Sequence, residues 1–206
     1  MPRAGGIPRR VPGSGGAGAP GSNPRGGRGV ARLGLSQWLV PDAVVGAVTE
    51  IAPQALVARG LRGLVIDLDN TLTRWNEPGC APDVAAWLEA AAAAGLRLCI
   101  VSNNGPARVA AFCRGLGVDL PWIAPAGKPR PEAYRRALER LGLPPEHVAA
   151  VGDQIFTDVF GGKRAGLMAI LVRPLARREF PATRVVRVIE SWWLARLRRR
   201  GALRPL

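Results

Sequence analysis

Histidine is almost absent from this chain of 206 residues. His147 stands alone, in the run Pro144-Pro145-Glu146-His147-Val148 and apart from every polar cluster considered below, so it reads as a surface loop residue and histidine catalysis is disfavoured. Cysteine is scarce too: Cys80, Cys99 and Cys113 are odd in number and lack C-x-x-C spacing. That pattern argues against disulfides and a zinc site and fits a reducing, cytoplasmic compartment. No stretch reaches the roughly 18 to 20 apolar residues that a membrane span requires. The N-terminus lacks the apolar core of a secretory signal.

Acid is missing from residues 1–34, which carry six Arg and no Asp or Glu. Residues 173–206 carry ten Arg against two Glu, so the two ends hold +6 and +8 of the net charge of +14. Residues 35–172 are neutral, with thirteen basic and thirteen acidic side chains. An anionic partner is therefore to be sought at the ends. The Gly, Pro and Arg of residues 1–34 cannot offset the entropy of folding, and a disordered tail is expected there. RNA binding through its arginines is conceivable chemistry, but a solvated tail or a start placed too far upstream is the simpler expectation.

Order is expected from Ser36 onward. Trp38, Leu39, Val44, Val45, Val48 and Ile51 recur at helical spacing around Pro41, which suits a first helical turn, and a second helix is expected near 53–59, ending at Gly60. Beyond it, short apolar runs alternate with Ala-rich amphipathic stretches. The runs are 64–69, 96–102, 122–124, 148–153 and 169–173; the helical stretches lie near 82–94, 106–115, 131–141 and 158–165. Continuous apolar strands separated by helices imply a parallel sheet covered on both faces, a doubly wound α/β fold, with its ligand site at the carboxyl ends of the strands.

Four polar signals sit where apolar runs end. The first is Asp67-Leu68-Asp69-Asn70-Thr71. In extended backbone, residues two apart point the same way, so both carboxylates would face one ligand, and leaving them there unpaired is costly without a metal or substrate. Ser102-Asn103-Asn104 offers a hydroxyl and backbone N–H groups to a phosphoryl oxygen. Lys128, in Ala126-Gly127-Lys128-Pro129, is a cation placed by a turn. Gly152-Asp153 followed by Asp158 adds two carboxylates, with a glycine that permits close backbone approach. A single Asp at a strand end is often only a helix cap, and Asp158 has that alternative.

These four ordered motifs resemble the haloacid dehalogenase (HAD) superfamily over roughly residues 35–200. More narrowly, DLDNTLT, VSNN, AGKPRP and GDQIFTDVFGGKRAG resemble the YqeG family of subclass IIIA phosphatases, related to phosphatidylglycerophosphate phosphatases. The resemblance implies a Rossmann-like HAD domain over residues 35–181. It implies Asp67 as nucleophile, Asp69 as acid and base, and a Mg²⁺ held by the carboxylates of Asp67 and Asp153 and the backbone carbonyl of Asp69. Thr71, Ser102, Asn103 and Lys128 would bind the substrate phosphate, with Lys128 also stabilising charge in catalysis, and Asp158 would steady the metal shell or Lys128.

Only 33 residues separate Asp69 from Ser102, and 26 separate Ser102 from Lys128. A strand and a helix consume nearly all of each gap, so no cap domain fits and the site should be open. An open site favours a phosphate on something large, such as a lipid headgroup, a protein or a nucleic-acid end. Residues 182–206 read as a basic amphipathic helix and tail. On a helical wheel Val185, Val186, Val188, Ile189, Trp192, Trp193 and Leu197 share one half, Arg184, Arg187, Glu190 and Arg198 lie opposite, and Leu194 and Arg196 break the pattern. Such a helix suits an anionic membrane or packing on the sheet. The expected protein is a Mg²⁺-dependent phosphatase, peripheral at the membrane and acting on a phosphorylated lipid headgroup; the alternatives are a soluble phosphatase for a protein, nucleotide or sugar phosphate, or an RNA- or ribosome-associated protein.

Overall fold

The computed structural model describes residues 35–75, 77–116, 120–176 and 183–206. The character expected for residues 1–34 lies outside the described residues. Among the described residues six strands form one wholly parallel sheet: β1 (Ala43–Val45), β2 (Gly63–Ile66), β3 (Arg97–Val101), β4 (Trp122–Ile123), β5 (Val148–Gly152) and β6 (Met168–Val172), in the order β1-β6-β5-β2-β3-β4. The helices are α1 (Pro53–Ala58), α2 (Pro82–Ala93), α3 (Pro106–Leu116), α4 (Pro131–Leu141), α5 (Phe160–Arg164) and α6 (Thr183–Arg199). The first four open on proline, whose fixed φ suits a first turn and whose missing N–H is not needed there.

The strands read as continuous apolar runs because both faces are buried. Leu64, Ile66, Leu98, Ile100, Ala149 and Val151 join the core containing Trp87 and Leu88 of α2. Their neighbours Val65, Cys99, Val101, Val148 and Ala150 point the other way, onto Ala133, Tyr134, Ala137 and Leu141 of α4. Period-two alternation thus divides one apolar sequence between two cores.

Two expectations are corrected, the first at the N-terminal side of the sheet. The segment after Ser36 is not an amphipathic helix: a 3-10 turn (Leu35–Leu39) leads into edge strand β1, followed by a second 3-10 turn (Val48–Glu50). Tertiary pairing overrides the helical spacing. The Asp42 backbone N–H donates to the Ala169 carbonyl at 2.8 Å while its carboxylate accepts the Ala169 N–H at 2.8 Å and Lys163 Nζ at 2.9 Å, clamping the start of β1 to β6. Val44 N–H donates at 2.9 Å to the Arg204 carbonyl, so the C-terminal segment meets the sheet's free edge.

Helix α6 also differs from its wheel. Trp193 and Leu194 pack on Ile155, Val159, Ala169 and Leu171, and Leu197 is buried. Glu190, expected on the polar side, is buried and accepts the Phe156 N–H at 3.1 Å; the Trp193 indole N–H donates to the Leu39 carbonyl at 3.0 Å. The packed face therefore runs through 190, 193, 194 and 197. Val188, Ile189 and Trp192 are left 71%, 50% and 58% exposed.

Candidate active site

The chain crosses the sheet outward from β2 to β3 and β4, then returns to β5 on the other side of β2. Strand order reverses between β2 and β5, the place where open α/β sheets bind ligands. Asp67 leaves β2 and Asp153 leaves β5 at that point, while Ser102 and Lys128 follow β3 and β4. The Asp67 N–H still donates to Val151 at 2.9 Å, which fixes the backbone from which its carboxylate projects.

The centre of the site is an ammonium between carboxylates. Lys128 Nζ lies 2.6 Å from Asp67 Oδ1 and 2.7 Å from Asp158 Oδ1, with all three residues buried. Burial alone would pull the Lys128 ammonium down, but Asp158 and Asp67 overcome it and hold the group well above its ordinary range. Asp67 is pushed up to about 7, first by burial and then by Asp158 and Asp69, against the opposing pull of Lys128. Asp158 is oriented by donors from Gln154 N–H (3.1 Å) and Thr157 Oγ1 (3.2 Å). It belongs to a π-helical turn, Ile155–Val159, a local geometry common at functional sites. Gly152 has to be glycine here, since a Cβ would overlap the Asp158 carboxyl group.

Asp67, Asp153 and Asp158 each bring a carboxylate oxygen to a common spot, within 4.8 Å of one another. This oxygen-only donor set fits a hard divalent cation such as Mg²⁺, and one ammonium among three carboxylates leaves a surplus of negative charge that such a cation would offset. The Asp69 carboxylate is not in that group. It accepts Asn104 Nδ2 at 3.1 Å and Arg108 Nη2 at 3.2 Å.

Of the expected phosphate-binding residues, Ser102 is buried, with Oγ accepting the Asn104 N–H at 3.1 Å. Thr71 is buried in the turn after Asp69, and its hydroxyl has no hydrogen-bond partner among the described residues. Asn103 braces the lysine loop: its Oδ1 accepts the Lys128 N–H at 2.7 Å and its Nδ2 donates to the Lys128 carbonyl at 3.1 Å. His147 is exposed in a 3-10 turn away from the site, with Nδ1 2.8 Å from the Gly60 carbonyl. Asn104 was named in the sequence only for the backbone N–H groups of its run, not for its amide contact with Asp69. Arg108 was not singled out, nor was Tyr134, whose hydroxyl donates to the Thr157 carbonyl at 2.9 Å beneath Asp158. A signal for Arg108 was available: α3 has no acid in its first turn and a cation there, against the helix dipole.

Comparison with known proteins agrees with this geometry. The haloacid dehalogenase-like hydrolase family matches residues 75–166. The probable phosphatase YqeG of Bacillus subtilis is 38% identical over 167 residues, covering 81% of this chain and 96% of that protein. Phosphatidylglycerophosphate phosphatase 1 of the Chlamydomonas reinhardtii chloroplast is 32% identical over 80% of this chain, which spans 62% of that protein. Its Arabidopsis thaliana counterpart is 28% identical over 82% of this chain and 51% of its own length. The chain belongs to the haloacid dehalogenase-like hydrolases, among the phosphatases that include YqeG.

Proposed function

We propose that this phosphatase removes the terminal phosphate from a phosphorylated lipid headgroup, phosphatidylglycerophosphate being the leading candidate, through an aspartyl-phosphate intermediate. The observation that carries the substrate is the similarity to a phosphatidylglycerophosphate phosphatase over 80% of the chain. Two features of this molecule support it. Among the described residues, β2, β3 and β4 are joined by one helix each, so no cap closes over Asp67 and a bulky substrate has access. The apolar stripe of Val188, Ile189 and Trp192 is exposed on a helix ending in Arg196, Arg198 and Arg199, an arrangement suited to peripheral contact with an anionic membrane.

In this mechanism the Asp67 carboxylate attacks phosphorus in line as the bond to the leaving oxygen breaks. Asp69 gives its proton to that oxygen, then takes one from the water that hydrolyses the acyl phosphate. Lys128, held by Asp67 and Asp158, with Ser102 and Thr71 nearby in the fold, would stabilise charge on the transferring phosphoryl group. Mg²⁺ held by Asp67, Asp153 and the Asp69 carbonyl, with Asp158 adjacent, would neutralise phosphate charge and favour the carboxylate form of Asp67.

The test is phosphate release from phosphatidylglycerophosphate in mixed micelles, beside soluble sugar, nucleotide and peptide phosphates. Turnover should require Mg²⁺, vanish in EDTA, and fall by more than about a thousandfold in Asp67→Asn, as expected for loss of a nucleophile. Preference for a soluble phosphate would sink the lipid reading, and Asp67→Asn activity within tenfold of wild type would sink the mechanism.

A further inference from the structure

The charges of the site are layered by accessibility. Side-chain exposure is 3% for Lys128, 10% for Asp67, 13% for Asp69 and 15% for Arg108. Lys128 is committed to two carboxylates, whereas Arg108 touches one oxygen of Asp69 through a single Nη2. Its Nε is buried without a hydrogen-bond partner, and among the described residues the guanidinium has no other ion pair. A buried donor left unsatisfied is costly, and a planar fork with one prong used is built to take a second oxyanion. Asn104 holds the other Asp69 oxygen, so that carboxylate would keep its place if Arg108 turned partly toward a ligand.

We propose that Arg108 forms a second anion subsite at the mouth of the phosphatase centre: it positions Asp69 and binds a negative charge carried by the leaving group, so that preferred substrates are phosphomonoesters bearing a phosphodiester or carboxylate close to the ester. This rests on the reading of Asp69 as the group beside the leaving oxygen. Arg108 is a specificity and positioning residue, while Lys128 serves the phosphoryl group itself. Arginine suits the outer role because its guanidinium is always charged and holds oxyanions two-pronged, which an amide cannot do.

The experiment compares glycerol 3-phosphate with the deacylated headgroup glycerophosphoglycerophosphate, which offers the same primary alcohol as leaving group plus one phosphodiester. 4-Nitrophenyl phosphate, whose leaving group needs little protonation, serves as the reference. Wild type should favour the diester-bearing substrate by about tenfold or more in kcat/KM, one charge-assisted contact's worth. Arg108→Ala and Arg108→Gln should shrink that preference to about threefold or less, mainly through KM, with Arg108→Lys recovering part of it. Their kcat should fall further on glycerol 3-phosphate than on 4-nitrophenyl phosphate. A wild type without the preference, a preference that survives Arg108→Ala, or an equal loss on all three substrates would overturn the proposal. Asp69→Asn separates the two readings: a loss independent of leaving group in that variant refutes the role of Asp69, while the diester preference still reports on Arg108.

Discussion

Asp67 sits where its charge is costly, because it is buried, faces Asp158 and Asp69, and shares the Lys128 ammonium with Asp158. The folded protein therefore holds the Asp67 proton up to about pH 7, whereas its ordinary value is 3.8. A carboxyl whose affinity for its proton rises on folding contributes stability that is complete below pH 4 and is lost as pH climbs through about 7. Asp67→Asn removes that dependence and leaves Asp158 to pair Lys128. In EDTA, the melting temperature of Asp67→Asn relative to wild type should rise between pH 5 and 8. A difference that shrinks over that range would contradict the electrostatic account. Millimolar Mg²⁺ at pH 7.5 should raise the wild-type melting temperature by mass action and raise that of Asp67→Asn less.

Among the elements, the short turn after β5 depends on its neighbours. The π-helical segment that carries Asp158 is held from below by Tyr134 and from outside by Glu190 of α6, which accepts the Phe156 N–H. Glu190→Ala would leave that N–H without its acceptor, at a cost of about 1–3 kcal/mol, and would loosen the segment that orients Asp158 and so Lys128. Reduced stability in urea together with reduced kcat is expected for Glu190→Ala, and near wild-type behaviour for Glu190→Gln, which keeps an oxygen acceptor. Equal effects of both would assign the role to charge instead. Sequence could not announce this contact, since Glu190 and Phe156 are 34 residues apart and a lone Glu on a basic helix reads as solvated. The same limit applied to β1, whose valines satisfy helical spacing until Asp42 pairs with Ala169 at the far end of the chain. For Arg108 the sequence held only a hint, a cation in the first turn of α3, because its partner is an Asp 39 residues away. By contrast β2 to β6 and the aspartates at their ends were legible, because a strand buried on both faces must be apolar throughout and a carboxylate at its end then stands out.

For the whole molecule the open question is what meets the basic, apolar side of α6. No described helix is long and apolar enough to cross a membrane. Trp192 is the probe of choice: it is exposed, with Arg196 placed 5.9 Å over its ring, whereas Trp193 anchors the helix to Leu39. Arginines near an anionic surface contribute about 1 kcal/mol each and are screened by salt, while an indole and two aliphatic side chains in the interface are not. The triple variant Val188→Ser, Ile189→Ser, Trp192→Ser should therefore lose sedimentation with phosphatidylglycerol vesicles even at high salt and keep its melting temperature. Trp193→Ala should lose stability first. Activity on glycerol 3-phosphate should survive the triple variant, and activity on vesicle-borne phosphatidylglycerophosphate should fall by about tenfold or more, because in the proposed reading the stripe serves access to the surface and not the chemistry. A labelled RNA in the same buffers decides the alternative. Tight, salt-sensitive RNA binding without preference for anionic over neutral vesicles would assign the arginines to nucleic acid.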